Sequence, residues 1–178
     1  ARAQVVTERW RAATESWLKA VLAHELAHYL HLTEPSGLFG TTSRLLGPSG
    51  PSAVAGFMPG WLIEGSPVYV ETLLTQGGRG RNQFFEMYAR ALLLEEAFFS
   101  YAEAGHESRF PPPGRIYLAG YLIHEHFIET YGVEAFREML ERFVGFPLFG
   151  PRRAIKRATG IPAHALFQHM VDDLEHEY

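Results

Sequence analysis

Apolar side chains recur every three or four positions along the N-terminal part of the chain, the spacing that places them on one face of an α-helix. This pattern predicts an amphipathic helix from Thr7 to His31. Two histidines occupy its apolar stripe, where a core-facing helix usually carries leucine or alanine. The stripe consists of Trp10, Ala13, Trp17, Val21, His24 and His28. We therefore expect both imidazoles to face the interior.

The remainder of the chain alternates between blocks with the same helical period and stretches rich in glycine and proline. From Leu32 to Gly60 the composition predicts a long loop, with one helical turn from Ser43 to Leu46. Pro67 lies inside the helix predicted to follow this loop and is expected to distort it. The predicted helices are 61–75, Gln83–Ala104, Arg115–Thr130, Val133–Phe143, Arg152–Ala158 and Pro162–Glu177. Because no convincing alternating strand is found, the predicted fold is mainly α.

The chain has 178 residues, of which 47% are hydrophobic, enough for one domain with a buried core. We expect a single domain over residues 1–178, and the start at Ala1 without methionine suggests a piece of a longer chain. A net charge of −4, with no basic stripe interleaved with aromatic residues, argues against a nucleic-acid surface. No apolar run is long enough to span a membrane and no signal peptide is evident.

The segment "HELAH" carries the clearest chemical signal. His24 and His28 are four residues apart on one helical face, so their rings can converge on one metal ion, with Glu25 facing a water bound to it. Since the chain has no cysteine, histidines and carboxylates are its only strong metal ligands. The alternative is that both histidines are core residues with local hydrogen bonds and that Glu25 is solvated.

A catalytic metal site needs a third protein ligand, and Glu64 is the candidate. It lies in the apolar segment "WLIEGSPVYV", where an unpaired carboxylate would carry a large desolvation cost that a metal would remove. Glu71 follows seven residues later on the same helical face, where it can accept a hydrogen bond from the second ring nitrogen of a ligand histidine. The alternatives are a Glu64 stabilised by a helix N-terminus and a Glu71 that is solvated or ion-paired.

"HELAH" followed by "PGWLIEGSPVYVE" resembles the gluzincin metallopeptidases, in which a second helix opening on a Glu-Gly step supplies the carboxylate ligand. It is most similar to the bacterial peptidase-MA-like domains and more distantly to zinc aminopeptidases of the aminopeptidase N type. The resemblance implies a helical zincin-like domain that binds Zn²⁺ through His24, His28 and Glu64. It further implies hydrolysis of peptide or protein substrates by a metal-activated water with Glu25 as general base, and an exported or periplasmic location.

Such peptidases also place a tyrosine on a later helix, commonly in a Tyr-x-x-Gly context, to stabilise the oxyanion. Tyr117 matches this context in "YLAG", with helix packing as the alternative role. Tyr121 and His124, one and two turns further on, and Arg115 just before are possible substrate contacts. The arginines of the "GGRGR" turn are expected to be solvated or to bind a substrate carboxylate. The cations of "RRAIKR" are expected to pair with acidic neighbours on a solvated helix face.

The chain differs from the gluzincin pattern in three respects, one of which is Pro67, at a position just past the ligand glutamate where a small helix-former is usual. The 35 residues between His28 and Glu64 form a longer link than in the aminopeptidases, which costs little because loop entropy grows with the logarithm of length. The β-sheet that gluzincins carry before the first motif is missing or minimal here. A metal-binding but inactive peptidase-like domain that serves as an interaction module is therefore the alternative function, and a helical module with an accidental motif is a third.

Overall fold

A computed structural model of the protein describes residues 2–33, 44, 47, 55–109 and 113–178, and in the first helix it describes side chains from 16 to 31. This part of the chain is mainly α and contains no strand, as the sequence pattern predicts. Most of the predicted loop lies outside the described residues, and so does the helical turn predicted for Ser43–Leu46 except Arg44, which is helical. No helix in the described part combines the length and apolar content needed to cross a bilayer.

Eight α-helices and two short 3₁₀ turns make up the described fold. The 3₁₀ turns are Arg79–Arg81 and Pro147–Phe149. The helices are α1 (Arg2–Thr33), α2 (Gly60–Leu74), α3 (Gln83–Leu94), α4 (Tyr101–Ala104), α5 (Arg115–Tyr131), α6 (Val133–Gly145), α7 (Arg152–Thr159) and α8 (Ala163–Glu177).

The helix predicted from Gln83 to Ala104 is wrong in its second half, because the chain breaks into α3 and α4. Glu96 adopts a left-handed backbone conformation with φ of 50°, which ends the first helix. Ser100 then starts a new helix through a capping box with Glu103. The Asn82 side chain caps α3 by accepting from the Phe84 backbone N–H at 2.9 Å. Local capping therefore overrides an apolar period that runs through the break.

α2 continues through Pro67 to Leu74, so the proline does not end the helix. The Pro67 ring is buried in the core. Pro67 has no backbone N–H, so this turn of the helix has one backbone hydrogen bond fewer. In the same turn the Ser66 hydroxyl donates to the Leu62 carbonyl at 3.0 Å. The ligand candidate Glu64 consequently stays on a helix.

α2 and α5 pack against each other at a pair of glycines, and this crossing positions the candidate site. A Cβ on Gly65 would lie 2.5 Å from Gly120 Cα, and one on Gly120 would lie 2.4 Å from Gly65 Cα. Only glycine permits backbones to approach this closely. Glu64 is adjacent to the first glycine and Tyr117 lies one turn before the second, so the crossing brings both toward α1.

Candidate metal centre

Two helices bring three potential metal ligands together. α1 contributes His24 and His28, whose rings lie edge to face with centroids 4.8 Å apart. α2 contributes Glu64, and one ligand atom from each of the three residues lies within 4.8 Å of the others. Glu64 Oε2 is 3.6 Å from His24 Nε2 and 3.4 Å from His28 Nε2. The three residues predicted to bind a metal thus converge on one point.

These separations fit a bound cation better than they fit direct hydrogen bonds. Nitrogen–oxygen hydrogen bonds span about 2.7–3.2 Å, so both contacts of Glu64 are too long. Two ligands that each lie about 2.1 Å from a tetrahedral zinc ion are about 3.4 Å apart, close to the 3.4 and 3.6 Å found here. Two imidazole nitrogens and one carboxylate oxygen are also ligands that zinc accepts. The donor set and two of its three separations therefore fit zinc, and the third separation is within 4.8 Å.

A carboxylate contacts the other ring nitrogen of His24. Nδ1 lies 3.1 Å from Glu71 Oε2, while Nε2 faces Glu64. His24 is 7% exposed and Glu71 is 2% exposed, so water is largely excluded from the contact. If Nδ1–H donates to Glu71, Nε2 keeps a free lone pair for a metal, whereas the other tautomer would accept at Nδ1 from Arg79 Nη2, which lies 2.6 Å away. Glu71 thus lies at the position predicted for an orienting carboxylate.

Arg79 holds Glu71 from the other side. Its backbone N–H and its Nε donate to Glu71 Oε1, each at 2.9 Å, and its Nη2 donates to Oε2 at 3.0 Å. The same Nη2 lies 2.6 Å from His24 Nδ1. Burial raises the pKa of Glu71, but the hydrogen bonds from His24 and Arg79 outweigh it and lower the pKa to about 2. Glu71 is therefore ionised at neutral pH.

The sequence predicts no structural role for Arg79, and the signal that could have revealed one is the glycine on either side of it. A Cβ on Gly78 would lie 2.3 Å from Thr72 Cα, and a Cβ on Gly80 would lie 2.3 Å from the Tyr121 ring. Only glycine lets the turn approach α2 and α5 this closely. The turn is therefore packed against the core, and Arg79 points to Glu71 instead of solvent.

Tyr117 reaches the same cluster from α5. Its ring centroid is 6.4 Å from that of His24, and the Arg79 guanidinium lies 4.7 Å from the Tyr117 centroid. Burial raises the pKa of the Tyr117 hydroxyl, and its charge interaction and hydrogen bond with Glu64 raise it further. The hydroxyl thus stays protonated at neutral pH and can donate a hydrogen bond beside the candidate ligands.

A pocket of about 400 Å³ opens onto this cluster. Glu25, an exposed residue of α1, contributes to its wall together with groups that contact the candidate ligands. The lining residues are Trp17, Ala20, Val21, His24, Glu25, Glu71, Gly77, Arg79 and Tyr117. A molecule that enters this pocket would meet Glu25 and Tyr117, and of the three candidate ligands it would meet His24.

The three side chains considered as substrate contacts do not line this pocket. Tyr121 donates its hydroxyl to Glu125, and its ring packs against the backbone of Gly80. His124 is 1% exposed and lies in the core, so the prediction that it contacts a substrate is wrong for this pocket. Arg115 donates to the His106 carbonyl through Nε at 3.2 Å and Nη2 at 2.9 Å.

Contacts with other parts of the chain hold these three side chains away from the pocket. Tyr121 and His124 pack against α2, with ring centroids 6.5 and 6.2 Å from that of Tyr69. Arg115, in the first turn of α5, reaches back toward the loop that precedes the helix. Of the four α5 candidates, Tyr117 alone lines the pocket.

The chain was also compared with known proteins. A scan against protein-family models gives no match. Searches of curated proteins and of solved structures likewise give no match. The functional interpretation therefore depends on the residues and geometry described above.

Proposed function

We propose that this protein is a zinc-dependent metallopeptidase. His24, His28 and Glu64 hold the metal, and Glu25 and Tyr117 act on the substrate in the pocket beside it. The observation that carries the proposal is the position of Glu64 Oε2, 3.4 and 3.6 Å from two imidazole nitrogens of another helix. A pair of helices that packs only for stability has no need to place a carboxylate between two histidines at this spacing.

Zinc in this position would lower the pKa of a water to about 7 and polarise a substrate carbonyl. Glu25 accepts a proton from the attacking water and delivers it to the leaving amine. The Tyr117 hydroxyl donates a hydrogen bond to the carbonyl oxygen, where negative charge develops. Glu71, held by Arg79, keeps His24 in the tautomer that binds metal through Nε2. Each polar group of the cluster thus has a role in peptide hydrolysis.

The first test measures metal content. Purified protein dialysed against zinc and then against buffer is expected to retain one zinc per chain, removable by a chelator. Glu64→Ala should lose the metal, because two histidines alone bind zinc weakly. Glu86→Ala, which removes an exposed glutamate of α3 paired with Arg90, is the matched control and should keep it. Metal content below one-tenth per chain in the unaltered protein would refute the site.

The second test separates catalysis from metal binding. Glu25→Gln should retain zinc and lose turnover of a peptide library by about 10²–10⁴-fold, since general-base catalysis contributes in that range. Tyr117→Phe should also retain zinc and lose part of the turnover. Full activity of Glu25→Gln would show that the proposed base is wrong. Stoichiometric zinc without chelator-sensitive cleavage would favour the inactive, metal-binding alternative.

A further inference from the structure

Another region, remote in sequence from the candidate metal centre, presents exposed apolar side chains. Residues 145–151, "GFPLFGP", contain no polar side chain and link α6 to α7 through the turn Pro147–Phe149. Phe146, Leu148 and Phe149 are 53%, 56% and 64% exposed, and the two phenylalanine centroids are 5.4 Å apart. We call these three side chains the apolar tip. Neighbouring exposed apolar groups of this kind commonly mark a binding surface.

Cations surround the apolar tip. Residues 142–171 contain five of the sixteen lysines and arginines and none of the twenty acidic residues, in a chain whose net charge is −4. Arg142, Arg153 and Arg157 line a cleft together with Phe146 and Phe149. The cationic character is therefore local and lies directly beside the apolar side chains.

The α7 cations do not pair with acidic neighbours, contrary to the prediction from sequence. Among the described residues, carboxylate partners are found for other arginines but for none of the four α7 cations. Arg152 lies over the Tyr101 ring at 5.5 Å. The remaining three, Arg153, Lys156 and Arg157, are exposed. Their charges are thus available to an anionic partner.

We propose that the apolar tip and the cationic face of α7 dock on an anionic phospholipid surface. Phenylalanine and leucine side chains partition into the boundary between headgroups and acyl chains. Lysine and arginine side chains near the membrane interact with lipid phosphates, and their longer stems can cover apolar surface. The apolar tip thus matches the boundary with the acyl chains, and the α7 cations match the layer of phosphate headgroups.

Other anionic partners satisfy only part of this surface. The cleft beside the tip measures about 170 Å³, smaller than the roughly 300 Å³ at which small-molecule pockets begin. A nucleic-acid strand or an acidic peptide would neutralise the cations but has no apolar layer for Leu148. A bilayer accommodates the apolar side chains and the cations together.

Vesicle co-sedimentation of the full chain tests the proposal. We expect binding to vesicles of phosphatidylcholine mixed with phosphatidylglycerol, and little binding to phosphatidylcholine alone. Phe149→Ser should weaken binding about tenfold. Arg153→Gln and Arg157→Gln should each weaken it about fivefold, because each cation near an anionic surface contributes about that factor. Raising the salt concentration should weaken binding of the unaltered protein and have less effect on the arginine variants.

Two control variants match the chemistry of these changes elsewhere on the surface. Leu94→Ser removes an apolar side chain that is 84% exposed, and Arg137→Gln removes a cation whose Nε lies 2.9 Å from Glu141. Both should bind vesicles like the unaltered protein. Circular dichroism confirms that each variant is folded, and zinc content should not change in any of them.

Three results would overturn the proposal: equal binding to neutral and anionic vesicles, equal loss in the Leu94→Ser control, or no vesicle binding at all. Tight binding of oligodeoxythymidine or polyglutamate in place of vesicles would assign the surface to a polymer instead. None of these readouts depends on the metal. A failure to bind vesicles would therefore leave the proposed peptidase activity standing, and loss of the peptidase proposal would leave vesicle binding standing.

Discussion

His24 and His124 are both buried imidazoles on helices that pack against α2, yet their ring nitrogens meet different partners. His24 directs one nitrogen toward Glu64 and the other toward Glu71. His124 has its Nδ1 2.6 Å from the Gly120 carbonyl and its Nε2 2.8 Å from the Ser66 hydroxyl. Two carboxylates and the Arg79 guanidinium contact the first ring, whereas uncharged groups surround the second.

The partners of the nitrogens therefore distinguish a candidate ligand from a structural histidine better than burial does. Trp61 and Phe136 pack against the His124 ring, and burial lowers the pKa of His124 to about 3. This ring stays neutral and ties α5 to α2 through Ser66. Around His24, Arg79 pairs with Glu71 on the Nδ1 side, and Glu64 supplies the carboxylate that faces Nε2, where a cation would lie.

The change with the largest expected effect would disrupt both regions, because both depend on the crossing of α2 and α5. Gly65→Ala should lower the free energy of unfolding by about 3 kcal/mol or more, since the added Cβ would meet Gly120 backbone atoms that cannot move aside. Gly145→Ala is the control, because no atom lies within 4 Å of its Cβ position. Chemical denaturation measures both, and similar stabilities would contradict the proposed close approach.

Removing each histidine in turn should separate the two regions. His24→Ala should weaken zinc binding by about 100-fold or more, because it deletes a ligand. His124→Ala should change zinc affinity little and lower the free energy of unfolding by about 2–4 kcal/mol, because it leaves a cavity and removes the hydrogen bonds of the ring with Ser66 and Gly120. Competition with a chromogenic chelator and urea denaturation provide the two readouts. Loss of zinc in His124→Ala at unchanged stability would contradict the assignment of His24 as a ligand and His124 as a structural histidine.

Lowering the pH should destabilise the protein through His124 even when no metal is bound. Well above pH 6.5 the ring is neutral in both the folded and unfolded states, so His124 contributes no pH dependence of stability there. Between pH 6.5 and about 3 the unfolded chain binds a proton that folded His124 does not. The free energy of unfolding should therefore fall as pH falls, by about 1.4 kcal/mol per pH unit.

Urea denaturation at several pH values with a chelator present measures this slope. Burial and the nearby His28 lower the pKa of His31 to about 4. The unfolded chain therefore binds a further proton at His31 in part of the same pH range. His124→Leu should therefore flatten the slope by one proton without abolishing it. A slope identical in His124→Leu and the unaltered protein would mean that His124 titrates normally in the folded state.

The smallest expected effects come from changing one partner of each ring. Glu71→Gln should weaken zinc binding about tenfold, because the amide is a weaker acceptor for His24 and leaves the Arg79 charge unpaired. Ser66→Ala should leave zinc affinity unchanged and lower the free energy of unfolding by about 1 kcal/mol, because His124 loses a hydrogen bond. Isothermal titration and urea denaturation on both variants test the pair. A similar change in zinc affinity in both would erase the distinction between the two rings.

Periodicity and motif spacing predict much of the helical fold and the core of the candidate site. A spacing of four positions between two histidines of a helix places both on one face whatever the rest of the chain does. The same reasoning places Glu64 and Glu71 on one face of α2, and both reach the histidines of α1. These features depend on local geometry, which the order of residues fixes.

Contacts between helices are decided only by the tertiary structure. Four residues of α5 are candidate site residues in the sequence, with Tyr117 first on its motif. The tertiary structure places Tyr117 at the pocket and His124 in the core. Arg79 meets Glu71 because two glycines let a turn pack against its neighbours. The break between α3 and α4 likewise depends on caps that compete with an unbroken apolar period. Local spacing determines which face a side chain occupies, whereas the partner of that face depends on close approaches between segments far apart in the chain.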